Sequence, residues 1–148
     1  MLIPLNFLVD TLVLYFSMGR SVPYREICEK YGMKICAVGF LADLIGSVFL
    51  FAVLLLSDSV LKPLDELYGI ANGISYQPTK NLPSFLIVLL AILLSGLCIY
   101  LLDKRIFKKA GMELNAAKRH AFNMAFFTMP YLYLLPYGFW QWLLPMLF

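Results

Sequence analysis

Four long apolar stretches are separated by three segments that hold nearly all the charge. They cover residues 2–18, 35–56, 82–102 and 121–140. A bilayer core of about 30 Å takes roughly 20 mostly apolar residues per helix. The pattern therefore predicts four transmembrane helices in a single membrane domain, 1–148. The longest connection is residues 57–81. There Val60, Leu61, Leu64, Leu67 and Tyr68 recur at helical spacing, with Asp65 and Glu66 between them. That spacing predicts a short amphipathic helix on the membrane surface. Asn72-Gly73 and Pro78 then mark a turn, and Pro83 suits the first turn of the third span. Pro130, Pro136 and Pro145 each remove a helix donor, so the fourth span is expected to kink. Tyr131, Tyr133, Tyr137, Trp140 and Trp142 crowd its end, as rings do at the headgroup level.

Composition agrees with a membrane protein. Apolar residues make up 61 % of the chain and charged residues 14 %. Ordinary soluble domains run at about 45–50 % and about 25 %. The polar material is too scarce to cover a water-facing surface of this size. The first stretch reads as a retained span and not a signal peptide. No basic residue precedes it, Asp10 interrupts it, and a small-residue cleavage site is missing.

Charge predicts the orientation. Ten of the twelve basic residues lie in residues 19–34 and 103–120, and only Lys62 and Lys80 lie in 58–81. Basic loops stay cytoplasmic. Both termini are then expected outside, with two basic loops inside. Lys104, Arg105, Lys108, Lys109, Lys118 and Arg119 form a cytoplasmic basic face suited to anionic lipid, at about 1 kcal/mol per basic residue near the surface. Specific nucleic-acid binding is not predicted, because few aromatic residues are interleaved with these charges. In residues 19–34, Arg25 and Glu29, and Glu26 and Lys30, stand four apart and are set for local ion pairs.

Two acids fall inside spans, and an ionisable group at membrane depth needs a reason. Asp10 is nine residues from Gly19, where the first span leaves inward, and Asp43 is nine residues from Lys34, where the second begins. At 1.5 Å per residue both sit about 13–14 Å from the inner boundary. The acids are expected to face each other near the midplane. Asn6, Asp10 and Ser17 share one face of the first span. Gly39, Ala42, Asp43, Gly46 and Ser47 share a stripe of the second, and its small residues Gly39, Ala42 and Gly46 suit close helix packing. Two facing carboxyls at low dielectric cannot both stay charged cheaply, so a shared proton or hydrogen bonds to Asn6 or Ser47 are expected. Two roles stay open for Asp10, Asp43, Asn6 and Ser47: hydrogen-bonded glue, or a proton or cation site. An intramembrane aspartyl protease is excluded, because Phe40-Leu41-Ala42 precede Asp43 in place of its Gly-x-Gly-Asp motif.

The rest of the chain offers less chemistry. Ser84, Ala91, Ser95 and Cys98 line one face of the third span, and Ala121, Ala125 and Thr128 one face of the fourth; both read as packing seams. His120 reads as an interfacial residue and Asp103 as a solvated neighbour of Lys104 and Arg105. The spacing of Cys28, Cys36 and Cys98 fits no zinc or redox motif, and all three are expected reduced. No cofactor or metal site is predicted, and one histidine with scattered cysteines points away from an enzyme.

The run Asn6-Phe7-Leu8-Val9-Asp10-Thr11-Leu12-Val13-Leu14-Tyr15-Phe16-Ser17, followed by Ile35-Cys36-Ala37-Val38-Gly39-Phe40-Leu41-Ala42-Asp43, resembles uncharacterised small membrane proteins of Gram-positive conjugative elements. The resemblance covers about a third of the chain and implies a subunit or accessory of a membrane-embedded transfer machine. The sequence thus predicts a non-enzymatic subunit of a larger assembly, such as a secretion or conjugation machine, in a bacterial cytoplasmic membrane. Its expected partners are the bilayer and other membrane subunits or further copies. The alternative is a small proton- or ion-coupled channel or transporter that uses the paired acids.

Overall fold

The computed structural model describes the backbone of residues 2–18, 24–60, 65–139 and 141–142, and the side chains of 7–18, 25–57, 69–139 and 141–142. Among the described residues the chain is all-helical and holds no strand. The helices run in order α1 (Leu2–Met18), α2 (Tyr24–Val60), α3 (Asp65–Tyr76), α4 (Leu82–Lys109) and α5 (Leu114–Thr128), and residues 137–139 and 141–142 are helical as well. A 3-10 turn, Tyr131–Leu134, comes after α5.

Two helices are long and apolar enough to cross a membrane. They lie in α2, over Arg25–Ser57, and in α4, over Leu82–Lys109. The 37 residues of α2 measure about 55 Å at 1.5 Å each, well beyond a bilayer core of about 30 Å. The reason for the extra length is local. Residues 25–34 contain no proline and are mostly good helix formers, and the Arg25 guanidinium meets the Glu29 carboxylate at 2.9 Å one turn on. The charges here suggest a short solvated helix or turn; the segment is helical, but as the first part of α2 and not a separate element.

The segment 104–120 is corrected in the same way. Residues 104–109 continue α4, and 114–120 open α5 seven residues before the expected span. Gly111 makes the stop between them. Its φ of +87° is left-handed, and Met112 N–H reaches back to the Phe107 carbonyl at 3.2 Å. The expected span 121–140 is not one helix. α5 ends at Thr128, and Met129 is extended because Pro130 follows it. Ser57, Thr11 and Thr128 bond to carbonyls one turn back, so their hydroxyls are satisfied within their own helices.

The chain divides into two compact units. The first comprises Met1–Leu44 and Leu94–Met129. Here α1 packs on α5, and the core is built from Leu14 and Met18 of α1, Ile35 and Ala42 of α2, Ile99 and Phe107 of α4, and Ala121 and Met124 of α5. Each helix contributes a stripe at steps of three and four: 10, 14, 17 and 18 in α1, and 117, 120, 121, 124 and 125 in α5. Small residues bring α2 and α4 together. Gly39 and Ala42 are buried, and Ser95 donates its hydroxyl to the Ala42 carbonyl at 2.9 Å.

The second unit comprises Ile45–Leu93 and Pro130–Phe148. Gly46, Ile74, Ser84, Val88, Ala91 and Ile92 are buried in it. Asn72-Gly73 was expected in a turn, but both lie within α3. Gly73 is there because α3 closes tightly on the start of α4. A Cβ on Gly73 would lie 2.8 Å from the Ser84 Cβ and 2.7 Å from Asn81 Nδ2. Around it, Ser84 donates its hydroxyl to the Ile70 carbonyl and Asn81 its amide to the Gly69 carbonyl. Gly73→Ala is expected to cost about 1–3 kcal/mol through overpacking. Gly69→Ala, which faces open space, is expected to be neutral apart from helix propensity. Thermal melts of the two variants in one detergent check the contrast.

The candidate site is a buried acid and histidine cluster

Among the described residues, the first unit buries two carboxyl side chains and one imidazole. Asp10 of α1 is 4 % exposed, and Asp103 of α4 and His120 of α5 are 0 % exposed. Helical spacing places each of them. Asp10 lies one turn before Leu14. Asp103 continues the buried stripe 95, 99, 103, 107, and His120 lies within the α5 stripe. Asp103 was expected to be solvated beside Lys104 and Arg105; it is instead a core residue. The α4 helix runs on past residue 102, so residue 103 turns inward. Lys104 is half-buried, with its ammonium over the Tyr100 ring at 5.3 Å, and Arg105 is exposed. His120, expected at the interface, is also a core residue, with its ring edge-on to Phe107 at 6.3 Å. Phe107 lies one helical turn after Asp103 on the same buried stripe of α4.

Four atoms of these side chains are buried without a hydrogen-bond partner: Asp10 Oδ2, both carboxyl oxygens of Asp103, and His120 Nε2. An unsatisfied buried polar atom costs about 1–3 kcal/mol, so several in one unit mark a place where stability is given up. The acids are within electrostatic range of one another. Asp10 feels the charge of Asp43, and Asp103 feels that of Asp10. Yet no three His, Cys, Asp or Glu side chains among the described residues come close enough together to hold a metal ion. The arrangement suits proton exchange better than direct coordination of a cation.

The other pole of His120 is fully occupied. Asn123 donates Nδ2–H to the Ser17 hydroxyl oxygen at 3.1 Å, and that oxygen lies 2.9 Å from His120 Nδ1. With Asn123 donating, the Ser17 proton is free to go to Nδ1. Two arrangements satisfy this pair: the hydroxyl donates to a bare Nδ1, or a protonated Nδ1 donates to the Ser17 oxygen. At the far side of the ring Nε2 is buried without a partner, in the same unit as three carboxyl oxygens that also lack one.

The other predicted residues are placed as follows. Asp43 is half-buried on α2 and within electrostatic range of Asp10. Ser47 does not join the acids. It is in the second unit, 2.8 Å from the Tyr133 hydroxyl. Gly39, Ala42 and Gly46 form the buried edge of α2, and this rotates position 47 toward the exposed side. The Asn6 side chain lies outside the described residues. Arg105, Lys108, Lys109, Lys118 and Arg119 are exposed. Cys28, Cys36 and Cys98 are free, and Cys98 is only half-buried. Asp103 and His120 were missed as site residues, although their signal was present: steps of four from Ile99 to Asp103 to Phe107, and of three from Ala117 to His120. No protein-family model matches the chain, and no curated protein or solved structure matches it.

Proposed function

We propose that this chain is a polytopic membrane protein that crosses the bilayer four times and handles protons at the Asp10–Asp103–His120 cluster. It would serve as a small proton channel or proton-coupled transporter. The observation that carries this reading is the set of four buried polar atoms without partners on those three residues. Ionisable residues at membrane depth are costly and mark proton or ion paths. α2 and α4 supply two spans by length and composition. The 17 residues of α1 are at the short end of the range for a span, and α5 with the tail after Pro130 would supply the fourth. The ten basic residues near the inner ends support termini outside and a basic face toward anionic lipid in a bacterial cytoplasmic membrane. The test is purified protein in liposomes that contain a trapped pH dye. An imposed membrane potential is expected to drive a pH change inside. A trace equal to that of empty liposomes contradicts the proposal.

A second reading is a non-enzymatic subunit of a larger membrane assembly. α5 favours it. Phe122, Phe126 and Phe127 are exposed on this helix; Phe122 stacks on Phe126, and Phe126 meets Phe127 edge-on. Such a face suits a neighbouring transmembrane helix, either of a second copy or of another subunit. The resemblance of residues 6–17 and 35–43 to proteins of conjugative elements points the same way, to secretion or conjugation. Purification in mild detergent is expected to retain a partner or a second copy on this reading. A clean monomer contradicts it.

A further inference from the structure

The first turns of α2, the last turn of α4 and the start of α5 enclose a cavity of about 470 Å³. That volume is within the range of about 300–1,000 Å³ common to ligand pockets. Its charged lining is balanced, with Lys30 and Lys109 against Glu26 and Glu113 around the ring of Tyr31. Tyr31 fixes the wall: its hydroxyl donates to the Lys109 carbonyl at 3.4 Å and ties α2 to the end of α4. Ile27 and Met112 add an apolar side.

All four charged residues are exposed, and none is in an ion pair or a side-chain hydrogen bond with a described residue. The contrast within α2 is direct. Arg25 and Glu29 stand four apart and pair at 2.9 Å. Glu26 and Lys30 have the same spacing and were expected to pair, but both line the cavity unpaired. Glu113 is the N-cap of α5, yet its carboxylate makes no cap bond. Two cations and two anions at one cavity suit a zwitterion. A simple anion would be repelled by the two carboxylates.

Depth points to which zwitterion. Tyr31 and Lys30 lie four and five residues outside the second apolar stretch, which begins at Ile35. Along a helix that is about 6–8 Å. The headgroup layer reaches about 5–8 Å beyond the hydrocarbon core. The bond from Tyr31 puts the end of α4 at the same level.

We infer that this cavity binds the headgroup of phosphatidylethanolamine in the inner leaflet. The Lys30 and Lys109 ammoniums meet its phosphate, and the Glu26 and Glu113 carboxylates accept N–H bonds from its ammonium. Glu26 and Lys30 stand about 6 Å apart along α2, which suits the two charged ends of one headgroup. Ile27 and Met112 are left for the glycerol end. The inference rests on the bilayer-crossing part of the reading above and does not involve the buried acids.

Native mass spectrometry of the full chain in detergent, titrated with lipids of identical acyl chains, tests it. Phosphatidylethanolamine is expected to bind roughly tenfold tighter than phosphatidylcholine, the worth of one charge-assisted hydrogen bond. The choline ammonium has no N–H to donate. Both lipids have the same net charge, so the lysines elsewhere on the surface treat them alike. Glu26→Gln combined with Glu113→Gln is expected to erase the preference. Lys30→Gln combined with Lys109→Gln is expected to weaken both lipids and keep their ratio. All four positions are exposed, so these variants are expected to melt as the wild type does. Equal binding of the two lipids, or a preference that survives both Glu substitutions, overturns the inference. Displacement of the lipid by an equal concentration of soluble glycerophosphoethanolamine also overturns it, by assigning the cavity to a free metabolite. Protein that fails to float with liposomes removes the bilayer reading and this inference with it. Protein that floats but shows no lipid preference removes this inference alone.

Discussion

Asp103→Asn will lower proton flux through the reconstituted protein by roughly a hundredfold, within the range that positioned proton-transfer groups supply, and will not lower its melting temperature. The two halves of this result have one cause. Asp103 is fully buried, and neither of its carboxyl oxygens has a hydrogen-bond partner. Asparagine has the same shape, removes the exchangeable acid and leaves unpartnered two polar positions that already are. A substitution that breaks no hydrogen bond has no structural reason to destabilise the fold. If Asp103 were structural glue, the same change would lower the melting temperature and spare the flux. Stability given up for a working group is a recurring property of functional sites, and it predicts this inverse behaviour. Flux and melting curves from one preparation separate the two readings.

The second large effect is expected at Ala42. This residue is fully buried, and its carbonyl accepts the Ser95 hydroxyl at 2.9 Å, so α2 and α4 approach closely there. Ala42→Leu adds three carbons where a methyl group already fills the space. Overpacking of this kind typically costs about 1–3 kcal/mol, and a tight small-residue contact belongs at the upper end. We expect a large fall in melting temperature and loss of a single symmetrical peak on size exclusion. Leu41→Ala, at a neighbouring exposed position, is expected to change neither. Ser95→Ala should be intermediate, since an interhelical hydrogen bond in a membrane protein is worth about 0.6 kcal/mol on average. Equal behaviour of Ala42→Leu and Leu41→Ala would show that the α2–α4 contact does not hold the first unit together.

The two effects also show what was legible in the chain. The buried edge of α2 was legible, because Gly39, Ala42 and Gly46 stand at small-residue spacing and all three are buried; that α4 meets it at Ala42 was not. The limits of α1 and the start of α4 were legible too, because an apolar run ends there against a polar residue or a proline. Helix ends set by charged residues were not. Arg25, Glu29, Lys30 and Lys104 to Lys109 are good helix formers, so α2 and α4 run through segments whose charge suggests a loop. Asp103 was hidden for this reason. Its neighbours Lys104 and Arg105 make it look solvated until the helix is known to continue and its 100° steps are counted. Ser47 shows the reverse error. It shares a helical stripe with Asp43, but the buried edge of α2 runs through Gly39, Ala42 and Gly46, and Ser47 meets Tyr133 instead. A stripe drawn on one helix does not say which of its edges a neighbouring helix will cover.

A double-substitution cycle of Asp10→Asn and Asp103→Asn on proton flux tests the central claim most directly. Groups that act as one unit are strongly non-additive, because losing either member already disables the whole. If Asp10 and Asp103 share the protons of one buried cluster, each single variant will lose nearly as much flux as the double variant. If the two losses multiply, or if either single variant keeps wild-type flux, the acids do not form one proton-handling site.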